Sequence, residues 1–288
     1  MSPKSLPDPL QRAARQVSTR YGQLTSGARM TPSFLIVGAQ RCGTTSMYKT
    51  LSGNPAILAA VLHKGVHYFD TGYGNSFAWY RGHFPLQSTA RRVEKETGVA
   101  PITGESSPYY MFHPLAGARI DADLPGVRLL VLLRDPVERA YSAHAHELAR
   151  GFETEAFERA LELEEQRTAG EEDKLVADPE YRSFHHQHNA YIARGRYADQ
   201  LERLEKTFGR DRIHVVDSGD LFTDPGPVFD GITSFLGLPA WRPAEFKQHN
   251  ARPRTTMAES LRERLRAGYE SADERLATWL GRAPSWRR

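Results

Sequence analysis

The residues of this 288-residue chain that could do chemistry concentrate in two short segments. The first is Gly38-Ala39-Gln40-Arg41-Cys42-Gly43-Thr44-Thr45, where two glycines, two hydroxyl residues and one cation stand between an apolar run and a helical pattern. Glycines let a backbone wrap closely round an anion, and such a loop turns its amides and the positive end of the next helix dipole toward it. Gly38, Gln40, Arg41, Cys42, Gly43, Thr44 and Thr45 therefore read as a phosphate-binding loop; a tight strand-to-helix turn without ligand is the alternative. A nucleoside triphosphatase would need lysine directly after the second glycine, where this chain has Thr44, and Arg41 is the loop's one cation. The second segment runs from Arg134 to Ser142. Arg134 closes an apolar run with a charged fork, and Ser142 follows two helical turns later, a spacing suited to a second anion near the first. A structural arginine at a strand end is the alternative there.

The flanking patterns say how these segments must be held. Phe34 to Val37 is a buried-strand run ending at Gly38, and Thr44 to Ser52 reads as the helix after it. Pro101 to Ser106 and Val127 to Leu133 are further strands, and Pro136 opens a helix reaching about Arg150. A charged stretch from Glu153 to Asp178 reads as surface helix and loop inserted in the domain. A long helix over Ala190 to Phe208, a strand over Arg212 to Val216 and a helix over Pro227 to Leu236 continue the alternation. Strands alternating with helices predict an α/β, P-loop-like three-layer fold with a central, mainly parallel sheet flanked by helices. Residues 1–32 read as a polar arm outside the core, with a short helix over Leu10 to Gln16, and 33–288 as the functional domain.

Composition narrows the classes. The chain has 38 Lys plus Arg against 35 Asp plus Glu, a mild excess that gives no reason to expect nucleic acid as partner. A single cysteine, Cys42, forbids an internal disulfide and points to a reducing, cytoplasmic setting. No apolar run approaches the roughly 20 residues that span a bilayer, and the first residues carry no signal-peptide core, so stable membrane insertion is not expected. His185, His186 and His188 cluster without a second ligand type at metal spacing and read as surface or acceptor-lining residues, not a zinc site. The terminal Arg287 and Arg288 read as solvated tail. Oligomeric state leaves no mark in the sequence.

Taken together, VGAQRCGTTSM followed by RLLVLLRDPVERAYSAH resembles the sulfotransferases that use 3′-phosphoadenosine 5′-phosphosulfate (PAPS), particularly the heparan sulfate N- and O-sulfotransferase branch. The likeness continues through KGVHYFD, AWYRGHFP, GESSPYY and RGRYADQLERL, over roughly residues 33–256, and the chain reads as a soluble, bacterial-type member. It implies that Arg41, Gly43, Thr44 and Thr45 grip the 5′-phosphosulfate, that Arg134 and Ser142 hold the 3′-phosphate, and that Arg252 and Arg254 lie in a basic loop over the nucleotide. No metal enters the scheme. The implied activity is sulfuryl transfer from PAPS to a hydroxyl or amine of a small-molecule, glycolipid or saccharide acceptor. A PAPS-binding protein without transferase activity is the rival reading, and a kinase or triphosphatase of similar fold a more distant one.

Three departures from that family pattern matter. Arg41 stands where the family usually has lysine, and Ser106 where a lysine usually follows the glutamate of the third motif. Gly65 replaces the glutamate that serves relatives as general base. The substitutes are His67, which matches the family's histidine and has a suitable pKa, then Glu105, with His146 placed to contact the acceptor and His63 as a plain loop residue. On this reading Gly65→Glu should be tolerated or should improve turnover. Tyr73, Trp79, Tyr109 and Tyr110 are aromatic candidates for stacking or for the core.

Overall fold

The computed structural model describes residues 17–246 and 256–288. Five strands, β1 (Phe34–Gly38), β2 (Ile57–Ala59), β3 (Ile102–Ser106), β4 (Arg128–Leu133) and β5 (Ile213–Asp217), form one parallel sheet in the order β2-β3-β1-β4-β5. Between and after them run α1 (Thr44–Leu51), α2 (Phe77–Arg81), α3 (Gln87–Thr97), α4 (Ala116–Asp123), α5 (Pro136–Leu148), α6 (Phe157–Thr168), α7 (Glu171–Ala177), α8 (Phe184–His188), α9 (Tyr197–Phe208), α10 (Ser218–Thr223), α11 (Pro225–Leu236), α12 (Glu259–Gly268) and α13 (Glu270–Leu280). Phe34 to Val37 and Leu129 to Leu133 have no exposed surface, as strands covered on both faces require. From central β1 the chain builds β3 and β2 on one side and β4 and β5 on the other. In open α/β sheets, ligands bind beyond the carboxyl ends of strands where the winding divides in this way.

Both candidate segments leave the sheet at that edge. The loop after β1 leads into α1, and Arg134 and Asp135 link β4 to α5. The Asp135 carboxylate accepts from the amides of Val137 and Glu138, and Pro136 occupies the first turn, so α5 starts at a fixed point. A second apolar cluster backs α5: Val137, Ala140 and Ala143 pack with Phe157, Leu161, Tyr191, Leu265 and Tyr269.

Four of the five strands lie within a residue of their expected bounds; β2, three residues at the sheet's end, left no pattern to read. Other expectations need correction. The helix expected over 190–208 begins at Tyr197, because a tight turn at Ala193–Gly195 comes first and Gly195 is seated against Tyr269, where a Cβ would lie 2.5 Å from the phenol oxygen. The stretch 153–178 is no loose insertion. Glu153, Glu164 and Glu171 are buried, and Glu164 accepts from the amides of Ile192 and Ala193. Part of the polar arm is also fixed, since Arg29 is buried and donates to the Phe84 carbonyl. The expected helix over Leu10 to Gln16 lies outside the described residues. Arg287 and Arg288 are solvent-exposed as expected but not a free tail: Arg287 Nε is 2.6 Å from Asp273, and Arg288 pairs with Asp220.

Removing the cap in Asp135→Ala should lower stability by about 1 kcal/mol, because two amides of α5 lose their acceptor. Calorimetry should show the midpoint falling by roughly 2–4 °C. An unchanged midpoint would mean that the cap does not hold α5.

Candidate active site

The loop after β1 leads straight into α1 with its amides uncovered. Gly43, at φ 88°, occupies the N-cap position of α1, a left-handed conformation that glycine adopts without steric cost. No side chain caps α1, although Asp135 caps α5 and Asp217 caps α10. The first amides of α1 thus lack a side-chain acceptor, the arrangement an anion would complete, with Gly43 exposed and Thr45 half-buried beside them. Gly38 serves packing, since a Cβ there would fall 2.6 Å from Met111. The Cys42 thiol is buried 3.7 Å from the Tyr197 hydroxyl, and burial raises its pKa, so this residue lends its backbone to the loop and not its sulfur. The amide of Gln40 bridges the Glu147 carboxylate (3.3 Å) and Arg194 Nη1 (2.7 Å), tying the loop to α5 and to the 194 turn.

Arg41 joins the two sequence segments. Its Nε donates to Ser142 Oγ at 3.1 Å, across the crevice between β1 and β4. Ser142 lies on α5, and His146 is one turn further along the same face. Arg134 is 3.4 Å from Glu138, which also accepts from Arg262. The backbone beneath is pinned: the Tyr197 hydroxyl donates to the Arg134 carbonyl (2.9 Å), and Ser218 to that of Leu133 (2.6 Å).

On the other side of β1, residues 64–70 lie across the end of β3. Glu105 has no exposed surface and holds this loop. Its Oε2 accepts from the Val66 amide (2.7 Å) and Ser107 Oγ (2.6 Å), and its Oε1 from the hydroxyls of Tyr110 (2.8 Å) and Tyr80 (3.1 Å). Burial raises the carboxyl pKa while its donors pull it back. Four donors fill the four lone-pair positions of a carboxylate, so Glu105 acts as an anchor, with no position left for an acceptor proton.

His67 sits differently. Its amide donates to Ser107 Oγ at 3.0 Å, its Nδ1 lies 2.8 Å from the buried Asp70 carboxylate, and its side chain is 43% exposed. With Nδ1 committed to Asp70, Nε2 is the nitrogen available to a substrate. Burial lowers the imidazole pKa, but the hydrogen bond and charge of Asp70, aided by Glu105, outweigh it and leave the net shift upward. Among the described residues, Arg41 (φ 69°) and His67 (φ 54°) are the non-glycine residues with positive φ. Such backbone costs about 1–3 kcal/mol each and persists where the surroundings enforce it, characteristically at functional sites.

The remaining candidates scatter. His185 contacts Asn189, His186 the Tyr109 hydroxyl and His188 Glu147, so the three rings look in different directions. His63 is exposed, its ring 6.1 Å from that of His83. Tyr109 and Tyr110 are buried, while Tyr73 and Trp79 pack part-buried against the core. Arg252 and Arg254 lie outside the described residues. The roles of Asp70, Arg194 and Tyr197 were not read from the sequence; for Asp70 the three-residue step from His67 was an available signal.

A sulfotransferase-domain family profile matches residues 31–269. The membrane-associated sulfotransferase kil1 of Dictyostelium discoideum is 26% identical over 88% of this chain and 66% of its own length. Human heparan sulfate glucosamine 3-O-sulfotransferase 5 is 29% identical over 72% of this chain, which spans about half (54%) of that relative. A crystal structure of a sulfotransferase from Alicyclobacillus acidocaldarius superposes with a TM-score of 0.66 at 27% identity, covering 90% of this chain and 99% of that one.

The geometry reverses the expectation for Gly65. A Cβ there would lie 2.6 Å from the Ser106 carbonyl oxygen, because the loop lies directly on β3, with the Ser106 amide bonded to the Lys64 carbonyl. Gly65→Glu should therefore lose about 1–3 kcal/mol of stability, a typical penalty for overpacking, as read by urea denaturation. A variant as stable as the parent would show that the loop can lift off β3.

Proposed function

The chain belongs to the sulfotransferase-domain family, and from that premise we propose that it moves a sulfuryl group from PAPS to an acceptor hydroxyl or amine, with Arg41 and His67 carrying the transfer. The observation behind this assignment is that both strained non-glycine residues, one a cation and one a base, stand at the carboxyl ends of the sheet on either side of the β1 terminus. The uncapped amides of α1, with Thr44, Thr45 and Arg41, suit a 5′-phosphosulfate. Arg134 and Ser142 suit the 3′-phosphate one strand away.

In this reading PAPS supplies an activated sulfuryl group. The acceptor proton passes to His67 Nε2, the acceptor atom forms its bond to sulfur, and the bond from sulfur to the bridging oxygen breaks, leaving the electron pair on the 5′-phosphate. Arg41 and the α1 amides stabilise that growing charge. Asp70 fixes the imidazole tautomer and the proton it receives. Glu105 positions the loop, His146 faces the acceptor, and Arg252 and Arg254 are assigned to the nucleotide on the family resemblance alone.

Transfer of labelled sulfate from PAPS tests the reading. Arg41→Ala should lose about 10²–10³-fold in turnover, and His67→Ala about 10²–10⁴-fold; undiminished transfer by either would remove that residue from the mechanism.

The pH profile carries a sign. His67 must be neutral to accept a proton and its pKa is raised, so activity should climb as pH rises through a value above the ordinary histidine 6.5. Stability from the His67–Asp70 pair runs the opposite way, present at low pH and lost as pH rises through that value. Asp70→Asn should move the rising limb of kcat/KM to lower pH while reducing turnover. A limb that stays in place would mean that another group titrates.

A further inference from the structure

Assigning Arg134 and Ser142 to a 3′-phosphate leaves a carboxylate to account for. Glu138 lies in the first turn of α5, where an acidic side chain suits the positive end of the helix dipole. Ser142 follows four residues later, so the two share a face of α5. Glu138 Oε2 is also 3.4 Å from Arg134 Nη2. A carboxylate placed between the two groups assigned to the phosphate would repel that anion if its charge were left unanswered.

The answering charge comes from late in the chain. Arg262, on α12, donates from Nη1 to Glu138 Oε1 at 2.5 Å, so the carboxylate bridges two guanidiniums, one at each oxygen. The three side chains are between 19% and 30% exposed, Arg262 the most covered of them, and solvent screens such partly buried charges only weakly. Nor is Arg262 a loose surface side chain. Its neighbour Leu261, with Leu265 one turn on, packs with Val137, Ala140 and Ala143 of α5, which holds α12 against the helix that carries Glu138. Arg262 stands 124 residues from its partner and past residues 33–256, the stretch whose sequence resembles the family.

We propose that Arg262 is a positioning residue for the donor: it draws the Glu138 carboxylate toward α12 and cancels its charge, so that Arg134 can give its fork to the 3′-phosphate. This rests on the sulfuryl-transfer reading and adds to it a determinant of the preference for a 3′-phosphorylated nucleotide. Without Arg262, Glu138 competes with the phosphate for Arg134 and repels it. With Glu138 made neutral, the requirement for Arg262 disappears. The acid that steadies the start of α5 is thereby kept next to an anion site without spoiling it.

Calorimetric titration of the full chain with 3′-phosphoadenosine 5′-phosphate and with adenosine 5′-phosphate tests this, because the two ligands differ only in the 3′-phosphate. Arg262→Ala should weaken binding of the first about tenfold and leave the second unchanged, and adding Glu138→Gln to that variant should restore most of the loss. An Arg262→Ala chain that kept the parent's preference for the 3′-phosphorylated ligand would overturn the inference, whether both affinities fell together or neither moved. So would a double variant that recovered nothing. A parent without that preference would instead overturn the assignment of Arg134 and Ser142 on which the inference rests.

Discussion

A carboxylate removed from water and given four donors organises one half of this site. Glu105 ties the end of β3 to the Val66 amide, to the turn at Ser107 and Tyr110, and to Tyr80 of α2. A carboxyl group buried this completely is tolerated only while its donors stay in place, and leaving a buried polar group without its partner typically costs about 1–3 kcal/mol. The loop over 64–70 therefore cannot drift, and His67, held through its amide by Ser107 and through its ring by Asp70, inherits that rigidity. Gly65 belongs to the same constraint, since only a residue without Cβ lets the loop lie flat on the Ser106 carbonyl.

The other half depends on the Arg41–Ser142 hydrogen bond and on the supports behind it. α5 is fixed at its start by Asp135 and along its back by the second apolar cluster. The loop after β1 is fixed through Gln40, whose amide meets Glu147 of α5 and the buried Arg194. Neither half is a loose assembly of surface side chains, as pre-organised electrostatic stabilisation demands. The left-handed backbone at Arg41 and His67 is what such a scaffold can enforce, and folding energy is given up at these two points, one carrying a guanidinium and one an imidazole.

Much of this was legible in the sequence, for identifiable reasons. The apolar runs before Gly38 and Arg134 marked the buried strands, and Pro136 after Asp135 fixed the start of α5. Two segments with the composition of anion-binding loops, in that order, carry the family resemblance. What could not be read was long-range. Glu105 looked like a spare base because nothing local shows that Tyr80, 25 residues earlier, and the Val66 amide occupy its oxygens. Gly65 looked like a lost catalytic residue that glutamate might restore, because the closeness of the Ser106 carbonyl is a property of packing. The buried Glu164 looked like surface charge because its partners, the amides of Ile192 and Ala193, lie 28 and 29 residues further along the chain.

As proposed, the crevice between β1 and β4 holds a nucleotide phosphorylated at both the 3′ and 5′ positions. Thermal unfolding with 3′-phosphoadenosine 5′-phosphate, compared with ATP–magnesium at equal concentration, tests it most directly. At 100 times its dissociation constant a ligand stabilises by about 2.7 kcal/mol, which corresponds to several degrees for a domain of this size. That shift is expected for the 3′-phosphorylated nucleotide, as is its loss in Arg134→Ala. Stabilisation by ATP–magnesium alone would overturn this assignment, because it would leave Arg134 and Ser142 without the phosphate assigned to them.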